Sequence, residues 1–124
     1  MNRIRAITKK YEPSEDEIMI ALYDWVKLKR YDSFIWHIAN ERRTSIGHGA
    51  KLKRMGVRPG VSDFCIARPC VVYAGMWLEV KAGKNKPTPL QIKFMEDMNR
   101  EGYYAIWRTG FDACKLAIEQ YLLI

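Results

Sequence analysis

The chain has 124 residues, enough for one folded domain, and 48% of them are hydrophobic, which excludes a disordered chain. With 21 Lys and Arg against 14 Asp and Glu, the formal net charge is +7. Such a balance reads either as solubility or as a polyanion partner, and its distribution along the chain decides between them.

Residues 1–13 read as a basic N-terminal arm preceding a domain over 14–124. Ser14 is a good N-cap, and Glu17 three residues on completes a capping box. Ile18, Leu22, Trp25 and Val26 then recur at helical spacing, so a helix with one buried stripe is expected to end near Arg30. Residues 34–38 are short, apolar and rich in strand formers. Residues 42–62 carry Arg42, Arg43, Lys51, Lys53, Arg54 and Arg58 without one acidic residue. Glycines interrupt that stretch, and a short helix is expected over 50–55.

A strand follows over 63–67, then a turn at Pro69 and Cys70. Residues 71–81 read as a hairpin return interrupted near Gly75, and 82–87 as a basic loop. Thr88, Pro89 and Gln91 mark the next helix start, with a second capping box. Leu90, Phe94 and Met98 are its expected inner stripe, and Gly102 its natural stop. A strand over 103–107 and a helix over 111–121, with Ala113, Leu116, Ala117, Gln120 and Tyr121 on a mixed face, complete the chain. The order implies an α/β domain with a small mixed sheet flanked by helices.

Cys65, Cys70 and Cys114 form no Cys-x-x-Cys pair and read as small hydrophobes in a reduced setting. No apolar run nears the roughly 18 residues of a membrane span. The N-terminus has no apolar signal segment. A cytoplasmic protein is the expectation.

The chemistry concentrates between residues 56 and 91. On a strand over 77–81, side-chain alternation puts Trp77, Glu79 and Lys81 on one face. Two charges there are costly unless they pair or bind an ion. Asp63 opens the preceding strand, where a hairpin can bring it beside Glu79. Two carboxylates suit Mg²⁺, which takes one or two of them with waters and a substrate phosphate. Lys81 could then orient a water or stabilise phosphoryl charge. The plain alternatives are a turn aspartate and a surface Glu–Lys pair. Gln91 either closes its capping box or faces the sheet and reaches the metal water. Glu17 carries the same two readings.

Gly56–Asp63, Leu78–Lys81, Gln91 and 102–106, with His37-Ile-Ala-Asn40 and the approach 49–53, resemble the VRR-NUC family of the PD-(D/E)xK nuclease superfamily. The likeness spans residues 14–122. It implies a restriction-endonuclease-like core and a Mg²⁺- or Mn²⁺-dependent DNA endonuclease. Its metal ligands fall on Asp63, Glu79 and the Val80 carbonyl, its lysine on Lys81, its helix glutamine on Gln91. The acidic residue of its first helix falls on Glu17, with Glu41 as the alternative. Ser62 and Ala39 depart from the family, standing where prolines are usual. The resemblance to stand-alone phage and bacterial members implies a homodimer acting on branched DNA, in a bacterial cell or phage-infected host. Arg42, Arg43, Lys51, Lys53, Arg54, Arg58, Lys84 and Lys86 then read as a phosphate-contacting surface. Flap, nick or restriction-like cleavage, or DNA binding without catalysis, are the other readings open at this point. Trp36, Trp77 and Trp107 read as core or interface residues rather than base-stacking platforms, and His37 as a packed strand residue.

Overall fold

A computed structural model describes residues 11–39 and 46–124. Residues 1–10 of the basic arm, and Asn40, Glu41, Arg42 and Arg43, lie outside the described residues. The elements in chain order are α1 (Glu15–Leu28), β1 (Ile35–His37), α2 (Ile46–Arg54) and β2 (Phe64–Ile66). They continue with β3 (Met76–Lys81), α3 (Pro89–Arg100), β4 (Tyr104–Thr109) and α4 (Phe111–Leu122).

Both capping boxes form as the sequence predicts. The Glu17 amide donates to Ser14 Oγ at 3.2 Å, and the Ser14 amide to Glu17 Oε1 at 3.4 Å. The Gln91 amide donates to Thr88 Oγ1 at 3.2 Å, and the Thr88 amide to Gln91 Oε1 at 2.9 Å. Each satisfies two otherwise orphaned backbone donors at a helix start. α3 stops where Gly102 takes a left-handed φ of 93° just past the Glu101 cap.

Among the described residues the strands form one sheet in the order β1-β2-β3-β4. β1 and β2 pair antiparallel, as do β2 and β3, whereas β3 and β4 pair parallel. A parallel pair needs a long crossover, and α3 with its flanking loops supplies it. The sheet is covered on both faces at β3. Met76, Leu78 and Val80 join a core with Ile18, Leu22 and Val26 of α1 and Cys114, Ile118 and Tyr121 of α4. Burying each such aliphatic side chain contributes roughly 1.5–3 kcal/mol. On the other face the Trp77 ring meets Phe94 of α3 edge-on, with centroids 5.1 Å apart.

The hairpin return is shorter than its sequence suggests: residues 71–75 stay outside the sheet. Pro69 has no N–H to extend the ladder. The Arg68 carbonyl is taken by the Tyr121 hydroxyl at 2.6 Å, and the Cys70 amide turns back to the Tyr73 carbonyl. Val71 and Val72 are left exposed.

Two helix faces differ from the predicted stripes. In α3 the buried pair is Phe94 and Met95, while Leu90 is 55% exposed. Leu90 meets the fold through its backbone instead, because Gly60 packs directly on it. In α4 the buried side chains are Cys114, Ala117, Ile118 and Tyr121, and Leu116 points outward at 53% exposure. The helix is turned by about one residue, which seats its larger side chains against α1 and the sheet.

α2 begins earlier than predicted, at Ile46, and none of its described side chains enters the core. Lys51, Lys53 and Arg54 are exposed on it.

The loop between α2 and β2 is pressed onto α3. A Cβ on Gly60, whose φ is 82°, would stand 2.6 Å from the Leu90 carbonyl carbon and oxygen. Gly56 also has a positive φ, 91°, but nothing lies within 4 Å of its Cβ position. Gly60→Ala is therefore expected to lower stability by about 2 kcal/mol or more, through strain plus overlap. Gly56→Ala should cost only about 1 kcal/mol, from strain alone. Urea unfolding midpoints of the two variants check this, and equal midpoints would refute the close approach.

Candidate active site

Among the described residues, Asp63, Glu79 and Lys81 are the only buried charged side chains, at 5%, 2% and 6% exposure. Charge is expensive to bury, so gathering all three at one place marks that place for function. They meet where β2 begins and β3 ends.

Asp63 is fixed through both its backbone and its side chain. Its carbonyl accepts the Ile38 amide at 2.8 Å and His37 Nδ1 at 2.7 Å. A carbonyl only accepts, so His37 donates from Nδ1. The Asp63 Oδ2 accepts the Val80 amide at 2.8 Å. β2 starts only at Phe64, opposite Leu78, so no β2 backbone reaches Val80. The Asp63 side chain takes the place of the missing ladder partner. In an extended strand the amide and carbonyl of one residue point to the same edge. The Val80 carbonyl therefore points toward Asp63 as well.

Glu79 lies beside Asp63, and its Oε1 is buried without a hydrogen-bond partner among the described residues. Burial first, and the Asp63 carboxyl second, push the Glu79 carboxyl up to about 9, against a smaller opposing pull from Lys81. Lys81 Nζ stands 3.4 Å from Glu15 Oε1 and 3.9 Å from Glu79 Oε2. Ser62, just before Asp63, is also buried with an unpartnered hydroxyl.

This donor set suits a hard divalent cation. Among the described residues no group of three or more His, Cys, Asp or Glu side chains gathers. Two carboxylates and a carbonyl, one carboxylate oxygen being an orphan, fit Mg²⁺ or Mn²⁺.

The remaining predicted residues divide. Glu17 is exposed and occupied: its carboxylate serves the helix cap and accepts the Tyr11 hydroxyl. The acidic residue of α1 that reaches the cluster is Glu15. Its position was readable, since 15, 18, 19 and 22 share one helical stripe and the last three are buried. Gln91 is half-buried, with its side-chain oxygen committed to the Thr88 amide. Arg58 is engaged within the fold. It donates to Asp97 Oδ2 at 2.6 Å and lies over the Phe94 ring, which clamps the 56–62 loop to α3. Lys93, Arg58 and Arg100 together hold the Asp97 carboxyl well below the usual carboxylate range. Lys51, Lys53, Arg54, Lys84 and Lys86 remain exposed. The cysteines are free thiols, and no described helix is long and apolar enough to cross a membrane.

No family model matches the sequence, and no curated protein matches it. Among solved structures the chain is similar to a VRR_NUC domain protein, with a TM-score of 0.81 and 29% sequence identity over 91% of each chain. Its mixed sheet with flanking helices is the fold of that neighbour. The likeness supports assignment of the chain to the VRR-NUC family, a family of nuclease type, in agreement with the resemblance read from the sequence.

A protonated Glu79 stabilises the metal-free fold, because the folded state binds that proton more tightly than the unfolded chain. That contribution is complete below pH 4.5, the ordinary value, and disappears as pH rises toward 9. Wild-type protein in chelator is thus expected to lose stability relative to Glu79→Gln across this range. Urea unfolding of both proteins at several pH values measures it, and parallel curves would refute the suppressed acidity.

Proposed function

We propose that the chain is a Mg²⁺- or Mn²⁺-dependent DNA endonuclease that hydrolyses phosphodiester bonds. The observation that carries this reading is the buried set of Asp63, Glu79 and Lys81 with its orphaned carboxylate oxygen. The family assignment adds the nuclease class.

Asp63, Glu79 and the Val80 carbonyl would hold the metal. Bound there, a divalent cation supplies Lewis acidity and lowers the pKa of water. The protein's own groups do the rest. Asp63 keeps one carboxylate oxygen on the Val80 amide, which fixes the direction of the other. Lys81 places a positive charge next to Glu79, where it can orient the attacking water or stabilise phosphoryl charge. Glu15 holds that ammonium in position from α1. The surrounding core keeps these groups out of bulk water, which strengthens their electrostatic action.

The exposed Lys51, Lys53, Arg54, Lys84 and Lys86, with Arg42 and Arg43 in the sequence between β1 and α2, provide phosphate contacts. Such contacts are salt-dependent and read no sequence. The substrate is accordingly proposed to be chosen by structure, with branched DNA preferred. Cutting both strands of a symmetric four-way junction needs two sites, which a C2 homodimer provides.

The test offers four-way junction, flap and linear duplex DNA with and without Mg²⁺ or Mn²⁺. Metal-dependent cleavage, fastest on the junction, is expected. Lys81→Ala should lower the cleavage rate by about 10²–10³-fold with DNA binding retained. DNA that is bound but never cut would leave only a binding module. Preference for the flap or the duplex would replace the junction assignment.

The two α1 glutamates separate cleanly. Glu15→Gln, which takes the charge from Lys81's partner, is expected to cost about 10-fold or more in rate. Glu17→Gln still accepts the capping bond and should cut at the wild-type rate. The reverse ranking in a cleavage time course would restore Glu17 to the site.

A further inference from the structure

Trp107 is the register partner of Glu79 across the parallel β3–β4 pair. Partners on adjacent strands project from one face, so the Trp107 and Glu79 side chains leave the sheet side by side. Its environment is unlike that of Trp77 on the same face. Trp77, also half-buried, is packed between the Phe94 and Tyr103 rings. Trp107 is half-buried, and its ring is met by the ammonium of exposed Lys86, 5.3 Å from the centroid. Lys86 lies in the loop that leaves the site after Lys81 and also carries Lys84. Neither Trp107 nor Lys86 is needed for the hydrolytic chemistry.

An exposed ammonium over a ring is held weakly and exchanges readily for a phosphate. When Lys86 turns to the DNA backbone, a ring face beside the reacting phosphate is uncovered. A base inside a duplex has both faces occupied by its neighbours. A base that has lost its pairing and stacking can lie on the indole. We propose that Trp107, screened by Lys86, is a stacking subsite for an unpaired nucleobase flanking the phosphate held at Asp63 and Glu79. This rests on the nuclease reading and adds that a nucleotide at the branch point is unpaired when its phosphate is cut.

The experiment uses the full chain in chelator, so that nothing is cut. The probes are a fully paired duplex and the same duplex bearing a single-stranded branch with 2-aminopurine at its base. Wild-type protein is expected to quench the 2-aminopurine on binding. Trp107→Leu should lose the quenching and bind the branched probe about tenfold or more weakly, with duplex affinity nearly unchanged. Trp107→Phe, which keeps an aromatic face, should retain most of the branched-probe affinity. Lys86→Ala should lower the salt dependence by about one unit of slope on both probes. Wild-type binding without quenching, or equal losses on the two probes for Trp107→Leu, would overturn the subsite alone. A wild-type chain that binds neither probe would overturn the nuclease reading with it.

Discussion

One hydrogen bond organises this protein: the Val80 amide donating to the Asp63 carboxylate. β2 is too short to reach residue 80, so β3 runs on past its antiparallel partner. A buried amide without an acceptor costs free energy, and here a side chain supplies the acceptor. That substitution has three consequences. It fixes the rotamer of Asp63, turns the Val80 carbonyl toward the same opening, and brings two carboxylates together at the sheet's end.

The rest of the fold serves to keep that end rigid. β1 grips the Asp63 carbonyl through the Ile38 amide and His37. The turn before Asp63 lies on the α3 backbone at Gly60, and the Arg58–Asp97 pair fastens it from the side. α1 and α4 bury the opposite face of β3. A site positioned by strands and supported by packed helices holds its groups more closely than one built on loops. The stability lost in burying Glu79 beside Asp63 is offset by that packing, and Lys81 limits the loss.

Much of the scaffold was legible in the sequence because its signals are local. Ser14 with Glu17 and Thr88 with Gln91 announce helix starts through bonds spanning three residues. The alternation of Trp77, Glu79 and Lys81 needs only strand geometry. Stripe assignments were weaker. Leu90 and Leu116 fit a helical period, yet both face outward, because which side of a helix is buried depends on what packs against it. Residues 71–75 have strand composition but lie outside the strands, since Pro69 and the Tyr121–Arg68 bond end the β2 ladder before them.

By itself the sequence determined which groups are available: one aspartate after a glycine-rich turn, a Glu-x-Lys on a strand, two capped helices and a basic stretch free of acids. Tertiary structure decided which of them meet. It selected Glu15 over Glu17 because only Glu15 lies on the buried stripe of α1 and ends beside Lys81. It paired Arg58 of the basic stretch with Asp97 of α3. It set Trp107 beside Glu79, because the parallel register of β3 and β4 joins residues 28 positions apart, a pairing no local pattern encodes.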